Sequence, residues 1–120
     1  MRQDYEDKVM KHYTRVAQES GLSASCTMED EYIREGESRA ILRLIELAAK
    51  SAAASLRVLD VGCGNGYTLR TLAERIRDDG LPGSIELLGI EKNHELRQLA
   101  SKMNEGLPVT IAEGDILRAE

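Results

Sequence analysis

An aspartate stands two residues ahead of three glycines at alternate positions in Val58-Leu59-Asp60-Val61-Gly62-Cys63-Gly64-Asn65-Gly66. Val58, Leu59 and Val61 make the short apolar run of a parallel strand buried on both faces. From Tyr67 to Ile76 the apolar residues return at helical spacing. The unit reads strand, glycine turn, helix, and such units hold a ligand outside the carboxyl end of the strand, against the helix N-terminus. Glycines there let backbone approach ligand with no Cβ in the way. A dinucleotide turn, G-x-G-x-x-G, needs its third glycine where this chain has Tyr67. A pyrophosphate would also meet the charge of Asp60, whereas a cationic ligand would gain from it.

Two further acids follow at strand ends. Ser84-Ile85-Glu86-Leu87-Leu88-Gly89-Ile90-Glu91 reads as a second strand closing on Glu91. An acid there can accept both hydrogen bonds of a ribose diol. Its distance from the glycines is lengthened by Asp78-Asp79-Gly80-Leu81-Pro82-Gly83, a turn sequence. Val109 to Ile116 alternates as a third strand and ends in Gly114-Asp115-Ile116. Taken singly, a strand-terminal Glu is an ordinary solvated residue and an Asp after Gly an ordinary turn or cap. The three signals in this order carry weight together.

The spacing D-x-G-x-G-x-G over Asp60, Gly62, Gly64 and Gly66 resembles the first motif of the S-adenosylmethionine (SAM)-dependent methyltransferases with a Rossmann-like fold. Gly114-Asp115-Ile116 resembles the same family's third cofactor segment, and the likeness covers about residues 56–116. The resemblance implies SAM as cofactor. It implies a methionine-side loop made by Asp60, Gly62, Cys63, Gly64, Asn65 and Gly66, and a ribose clamp at Glu91, with Lys92 beside it. It also implies an adenine pocket where Asp115 accepts from the amino group and Ile116 packs on the ring. The family's sheet has seven strands in the order 3-2-1-4-5-7-6. This chain supplies strands 1 to 3, so the expected fold is α/β, a Rossmann-like parallel sheet of order 3-2-1 preceded by two N-terminal helices. The expected division is an N-terminal helical segment at 1–55, a candidate lid, and a SAM-binding domain at 56–120 cut after strand 3. On that reading the chain is the N-terminal, cofactor-binding part of a methyltransferase and is inactive alone, since the strands that position the methyl acceptor are missing.

The elements that would position these residues have their own patterns. Tyr5, Val9, Tyr13 and Val16 make one stripe of a helix over Tyr5–Gln18, expected to pack on the core, or else to close over the cofactor as a lid. Glu19–Met28 reads as a polar loop, and Glu29–Lys50 contains a second helix whose apolar face is Ala40, Ile41, Leu44, Ile45, Leu47 and Ala48. The third helix uses Leu69, Leu72, Ala73 and Ile76; the fourth, over about Asn93–Asn104, uses Leu96, Leu99, Ala100 and Met103 and stops at Gly106-Leu107-Pro108. Arg34 or Arg39 could reach the SAM carboxylate. His12 and His94 stand alone and read as ordinary polar residues rather than catalytic bases. No catalytic residue is assigned.

Composition narrows the partners. The chain has 120 residues, 42% of them hydrophobic, enough for one domain with a modest core. Its net charge is −5, which argues against a dedicated nucleic-acid surface and leaves a small molecule or a protein as the favoured methyl acceptor. There is no Trp or Phe, so the aromatic walls of an acceptor pocket are largely lacking. Cys26 and Cys63 lack metal-site spacing, and Cys63 reads as the small residue its loop needs rather than a reactive thiol. Met1 to Ser20 is charged rather than signal-like, and no apolar run reaches membrane length, so the cytoplasm is expected. Rival readings are a non-catalytic partner-binding module derived from a methyltransferase and a nucleotide-binding oxidoreductase fragment. The unprotected edge of strand 1 also predicts a homodimer.

Overall fold

A computed structural model describes residues 2–21, 31–51, 55–81 and 84–115. Cys26, most of the 19–28 loop and Ile116 lie outside the described residues. The element order is α1 (Arg2–Ser20), α2 (Glu31–Ser51), β1 (Ser55–Val61), α3 (Tyr67–Asp79), β2 (Ser84–Glu91), α4 (His94–Met103) and β3 (Val109–Glu113). The strands form one sheet with β2 in the middle, which is the expected 3-2-1 order. Both pairings are parallel, Val58 lying beside Leu87 and Leu87 beside Val109.

The register puts Leu56, Val58, Ile85, Leu87, Val109 and Ile111 on one face of the sheet, because side chains alternate along a strand. These residues meet Ile45 of α2, Leu69, Leu72 and Ala73 of α3, and Ala100 of α4 in the main core. Gly80, left-handed at φ 58°, ends α3 by donating to the carbonyls of Arg77 and Ile76, a backbone closure that a side chain would strain. Asn93 begins α4 by accepting the Leu96 N–H at 3.0 Å.

Three expectations change. First, β1 is not buried on both faces: Leu59 is 56% exposed and Val61 42%. They share the second face of the sheet with Leu88 and Ile90, and the main core occupies the other face. Second, the broad apolar face expected on α2 splits. Arg34, Ser38, Ile45 and Ala49 form the buried stripe, while Leu44 and Leu47 face outward. The helix carries two apolar stripes and the sheet edge accommodates one. Third, Tyr5 and Tyr13 are not core contacts; α1 docks on α4 through Ala17 and Val16 against Leu96 and Leu99. Tyrosines fit a half-exposed position because the phenol keeps water on its oxygen. No described helix is long and apolar enough to cross a membrane.

Candidate functional site

A cleft of about 550 Å³ opens at the carboxyl ends of β1 and β2, a size suited to a cofactor. Its floor is Asp60 to Cys63 at the end of β1 and Glu91 to Asn93 at the end of β2. Gly114 and Asp115 extend the floor beyond β3. Helix α1 supplies one wall through Val9, Met10 and Tyr13, and α2 supplies another through Arg34, Glu37 and Ile41.

The glycines of the first motif do different work. The chain leaves β1 and turns at once over β2, with Gly62 and Cys63 both donating to the Ile90 carbonyl at 2.8 and 3.0 Å. Gly62 is left-handed at φ 72°, and a Cβ placed there would meet no atom within 4 Å, so its bare backbone faces the open cleft. Gly64 donates its N–H to Glu91 Oε1 at 3.0 Å. Gly66 does not line the cleft: a Cβ on it would lie 2.6 Å from Asn104 Nδ2 and 2.9 Å from Ala100 Cα. It lets the start of α3 press against α4, where Asn104 Nδ2 donates to its carbonyl at 3.1 Å.

Glu91 is the best-held acid of the site. It is 8% exposed, and its second oxygen accepts the Asn93 N–H at 2.9 Å. Each oxygen thus takes one backbone donor and retains lone-pair capacity for another. Asp60 stands on the neighbouring strand end. Burial pushes its carboxyl above the ordinary 3.8, Arg34 opposes that push and the charge of Glu91 adds to it. Burial, reinforced by Asp60 and Glu91, pushes the Cys63 thiol up to about 12, so the thiolate is scarce at neutral pH.

Of the residues expected to hold cofactor, Asp60, Gly62, Cys63, Glu91, Lys92 and Asp115 line the cleft. Lys92 Nζ and Asp115 Oδ2 face each other at 4.0 Å. Asn65 is fully buried behind the loop. Its Oδ1 accepts the Tyr67 N–H at 3.1 Å, and its Nδ2 donates to the Gly21 carbonyl at 3.0 Å. Asn65 therefore shapes the turn from behind. Arg34 lies in the wall, donating to Asn65 Oδ1 at 3.5 Å with its guanidinium 5.2 Å above the Tyr67 ring, whereas Arg39 lines a separate groove between α2 and α3. Neither histidine is among the residues lining the cleft.

Sequence reasoning missed Gly89 and Asn93. A Cβ at Gly89 would lie 2.6 Å from Leu69 Cδ1 and 2.9 Å from Cys63 Sγ, so this glycine seats the loop on β2. The available signal was a glycine inside an apolar strand, which marks close backbone approach. The sequence marks Asn93 only as a helix start, and its contacts with α1 leave no local signal.

The cleft thus has the parts a SAM site needs: bare loop backbone at Gly62, an excess of acids over bases, and a strand-end carboxylate with lone pairs to spare. No curated protein matches the chain. The family model for protein-L-isoaspartate(D-aspartate) O-methyltransferase matches residues 2–115, nearly the whole length, in agreement with the methyltransferase resemblance of the first motif. The chain belongs to the protein-L-isoaspartate(D-aspartate) O-methyltransferase family, a SAM-dependent, protein-modifying methyltransferase family.

Proposed function

We propose that the cleft binds SAM and forms the donor side of carboxyl methylation of isoaspartyl residues in proteins. One observation carries this reading: the carboxyl groups of Asp60 and Glu91 stand on adjacent strand ends of one cleft beneath a bare glycine loop. The acceptor class follows from the family's description.

When bound, SAM would supply a methyl group on a sulfonium centre: an acceptor oxygen would bond to the methyl carbon in line as the carbon–sulfur bond breaks, with the sulfur leaving as the neutral thioether of S-adenosylhomocysteine. The protein's task is charge and placement. Asp60, with Gly62 and Cys63, faces the cationic methionine end. Glu91 accepts from the ribose diol beside Lys92, and Asp115 with Ile116 takes the adenine. Gly64, Asn65 and Gly66 act from behind by holding the loop. Helix α1, within the helical segment 1–55, covers the donor, and residues 56–120 bind it. An acceptor carboxylate is already ionised at neutral pH, its ordinary pKa being about 4, so the reaction needs no general base. The absence of histidine from the cleft lining is compatible with that chemistry. The chemical step then depends mainly on orientation.

We further propose that the 120-residue polypeptide binds SAM without turning over acceptor. The described walls border the one cleft assigned above to the donor, and β1 carries an outer edge that pairs with no described strand. That edge, flanked by exposed Leu59 and Val61, would pair with a second copy of the chain.

The test uses labelled SAM with an isoaspartyl peptide and its aspartyl isomer, alongside calorimetry of SAM binding. Binding without turnover is expected for this polypeptide, and isoaspartyl-selective methyl ester formation for a longer form carrying the same cleft. Absence of SAM binding by the folded chain would refute the donor reading. Equal methylation of the two peptides would refute the acceptor.

A further inference from the structure

Asn93 is 2% exposed and bonds in three directions. Its backbone N–H meets Glu91 Oε2 at 2.9 Å. Its side-chain Oδ1 accepts the Leu96 N–H and caps α4. Its Nδ2 turns the other way, donating to Thr14 Oγ1 at 3.0 Å and to the Met10 carbonyl at 3.3 Å, both on α1. The same nitrogen lies 2.9 Å from Met10 Sδ.

Capping alone does not account for this residue. Asp, Ser and Thr cap helices about as well as Asn, but none offers an amide donor. The donor half of Asn93 is spent entirely on α1. The place where it lands matters as well. Val9, Met10 and Tyr13 form the α1 wall of the cleft, and the Asn93 bonds fall at Met10, within that stretch, and at Thr14, the next residue after it. The apolar anchor of α1, Ala17 with Val16, lies farther along the helix. Beyond the wall, toward the N-terminus, Tyr5 is 70% exposed. The anchor holds one end of α1, and Asn93 holds the part that borders the cleft.

We propose that Asn93 is a positioning residue that ties the α1 wall to the carboxylate of Glu91, so that the wall and floor of the cleft are set by one side chain and its own backbone N–H. The role in ligand binding rests on the donor site proposed above; the tether itself does not. An Asn at this position, one residue past the strand-end pair Glu91-Lys92, can satisfy strand end, helix cap and covering helix at once.

The experiment compares Asn93→Ser, Thr14→Val and the double variant with the unaltered 120-residue chain. Serine keeps the α4 cap and loses the amide. Thr14→Val removes an acceptor on α1 and leaves in place both the Asn93 cap of α4 and the Asn93 N–H bond to Glu91. Amide hydrogen exchange is followed through α1 and α4, without ligand and with saturating SAM, and SAM affinity is measured by calorimetry. Each single variant is expected to speed exchange in the middle of α1 by roughly five- to tenfold, the equivalent of one ordinary hydrogen bond, while α4 keeps its protection. The double variant should add little to Asn93→Ser, because both remove the same link. SAM should slow α1 exchange in the unaltered chain and lose much of that effect in Asn93→Ser, a readout that a plain helix cap would not move.

Unchanged α1 exchange in Asn93→Ser overturns the proposal. So does full additivity of the two substitutions, or weakened SAM binding with α1 exchange unaltered, which would place the effect in Glu91 alone. If the unaltered chain does not bind SAM, the donor reading fails, and the ligand-free exchange still decides whether the tether exists.

Discussion

Replacing Glu91 with glutamine changes one oxygen to an amide group and nearly nothing in shape. Its consequences can be worked out from two distances. The carboxylate accepts Gly64 N–H at 3.0 Å and Asn93 N–H at 2.9 Å in a site 8% exposed. A carboxamide has one accepting atom, so one of those donors must face an NH₂ group instead. A buried donor left without a partner costs about 1–3 kcal/mol of stability. Binding suffers separately. A charged acceptor contributes about 1.5–3 kcal/mol, so losing it should weaken SAM by roughly ten- to 150-fold. Two ligands separate the ribose from simple charge. S-adenosylhomocysteine has the same diol and lacks the sulfonium. If Glu91 holds the ribose, Glu91→Gln weakens both ligands by the same factor. Calorimetry on the folded variant, below its melting temperature, measures both. A SAM affinity within about twofold of the unaltered protein, against the expected tenfold or more, would refute the ribose role. A loss confined to SAM would show Glu91 acting through charge instead.

Asp60 should give the opposite ligand pattern, because its proposed partner is the cationic end: Asp60→Asn should weaken SAM more than S-adenosylhomocysteine. The same substitution should raise the melting temperature of the ligand-free chain at neutral pH. Burial raises this carboxyl in the fold, so the folded state binds the proton more tightly than the unfolded one. Stability therefore falls as pH rises from 3.8 through the raised value, and asparagine removes that loss, with no gain below 3.8. At Gly89, alanine would drive a Cβ to 2.6 Å from buried Leu69, and chemical denaturation should show a loss of about 1–3 kcal/mol. Light scattering should show self-association of the 120-residue chain, relieved by Leu59→Lys, which puts a charge beside the open edge of β1; a stable monomer at high concentration would mean that edge is covered.

The elements were legible because each is written locally. The strand-turn-helix at 55–79 needs only the apolar run, the glycines and the Leu69, Leu72, Ala73 spacing. Those residues occupy the positions the pattern implies, all three buried in α3. The parallel pairing likewise follows from helices lying between the strands, whereas the 3-2-1 order is what the methyltransferase resemblance implies, and the sheet has it. What periodicity could not decide was which of two apolar stripes a helix would bury. In α2, Ile45 and Ala49 won over Leu44 and Leu47. The reason is that Arg34, Ser38 and Ile45 share a face, and Arg34 on that face reaches Asn65 and Tyr67 of the glycine loop. The partners of that face, the main core for Ile45 and the glycine loop for Arg34, lie far along the chain, and no window of sequence contains both sides of the contact. Tyr67 extends the point. It excluded a dinucleotide turn by standing where a glycine was required, and in the fold its hydroxyl donates to Glu35 at 2.9 Å, a second link from loop to α2.

The same limit separates what was read of the site from what was not. Asp60, Gly62 and Glu91 face the cleft because strand ends and tight turns place them there with little help from elsewhere. The residues that hold them act across elements: Asn65, expected in the loop but not as its support from behind; Gly89, marked only as a glycine inside an apolar strand; and Asn93, which reads as a plain helix cap. Their types become informative only when the third dimension shows what a replacement would lose. Asn65 offers one acceptor to Tyr67 and one donor to Gly21. Asn93 offers one acceptor to α4 and one donor to α1. In both, a side-chain amide is used at both ends, joining two segments. A short polar residue that could cap or turn equally well as Asp or Ser, but stands as Asn beside a ligand loop, is therefore a reason to look for a second element on its donor side.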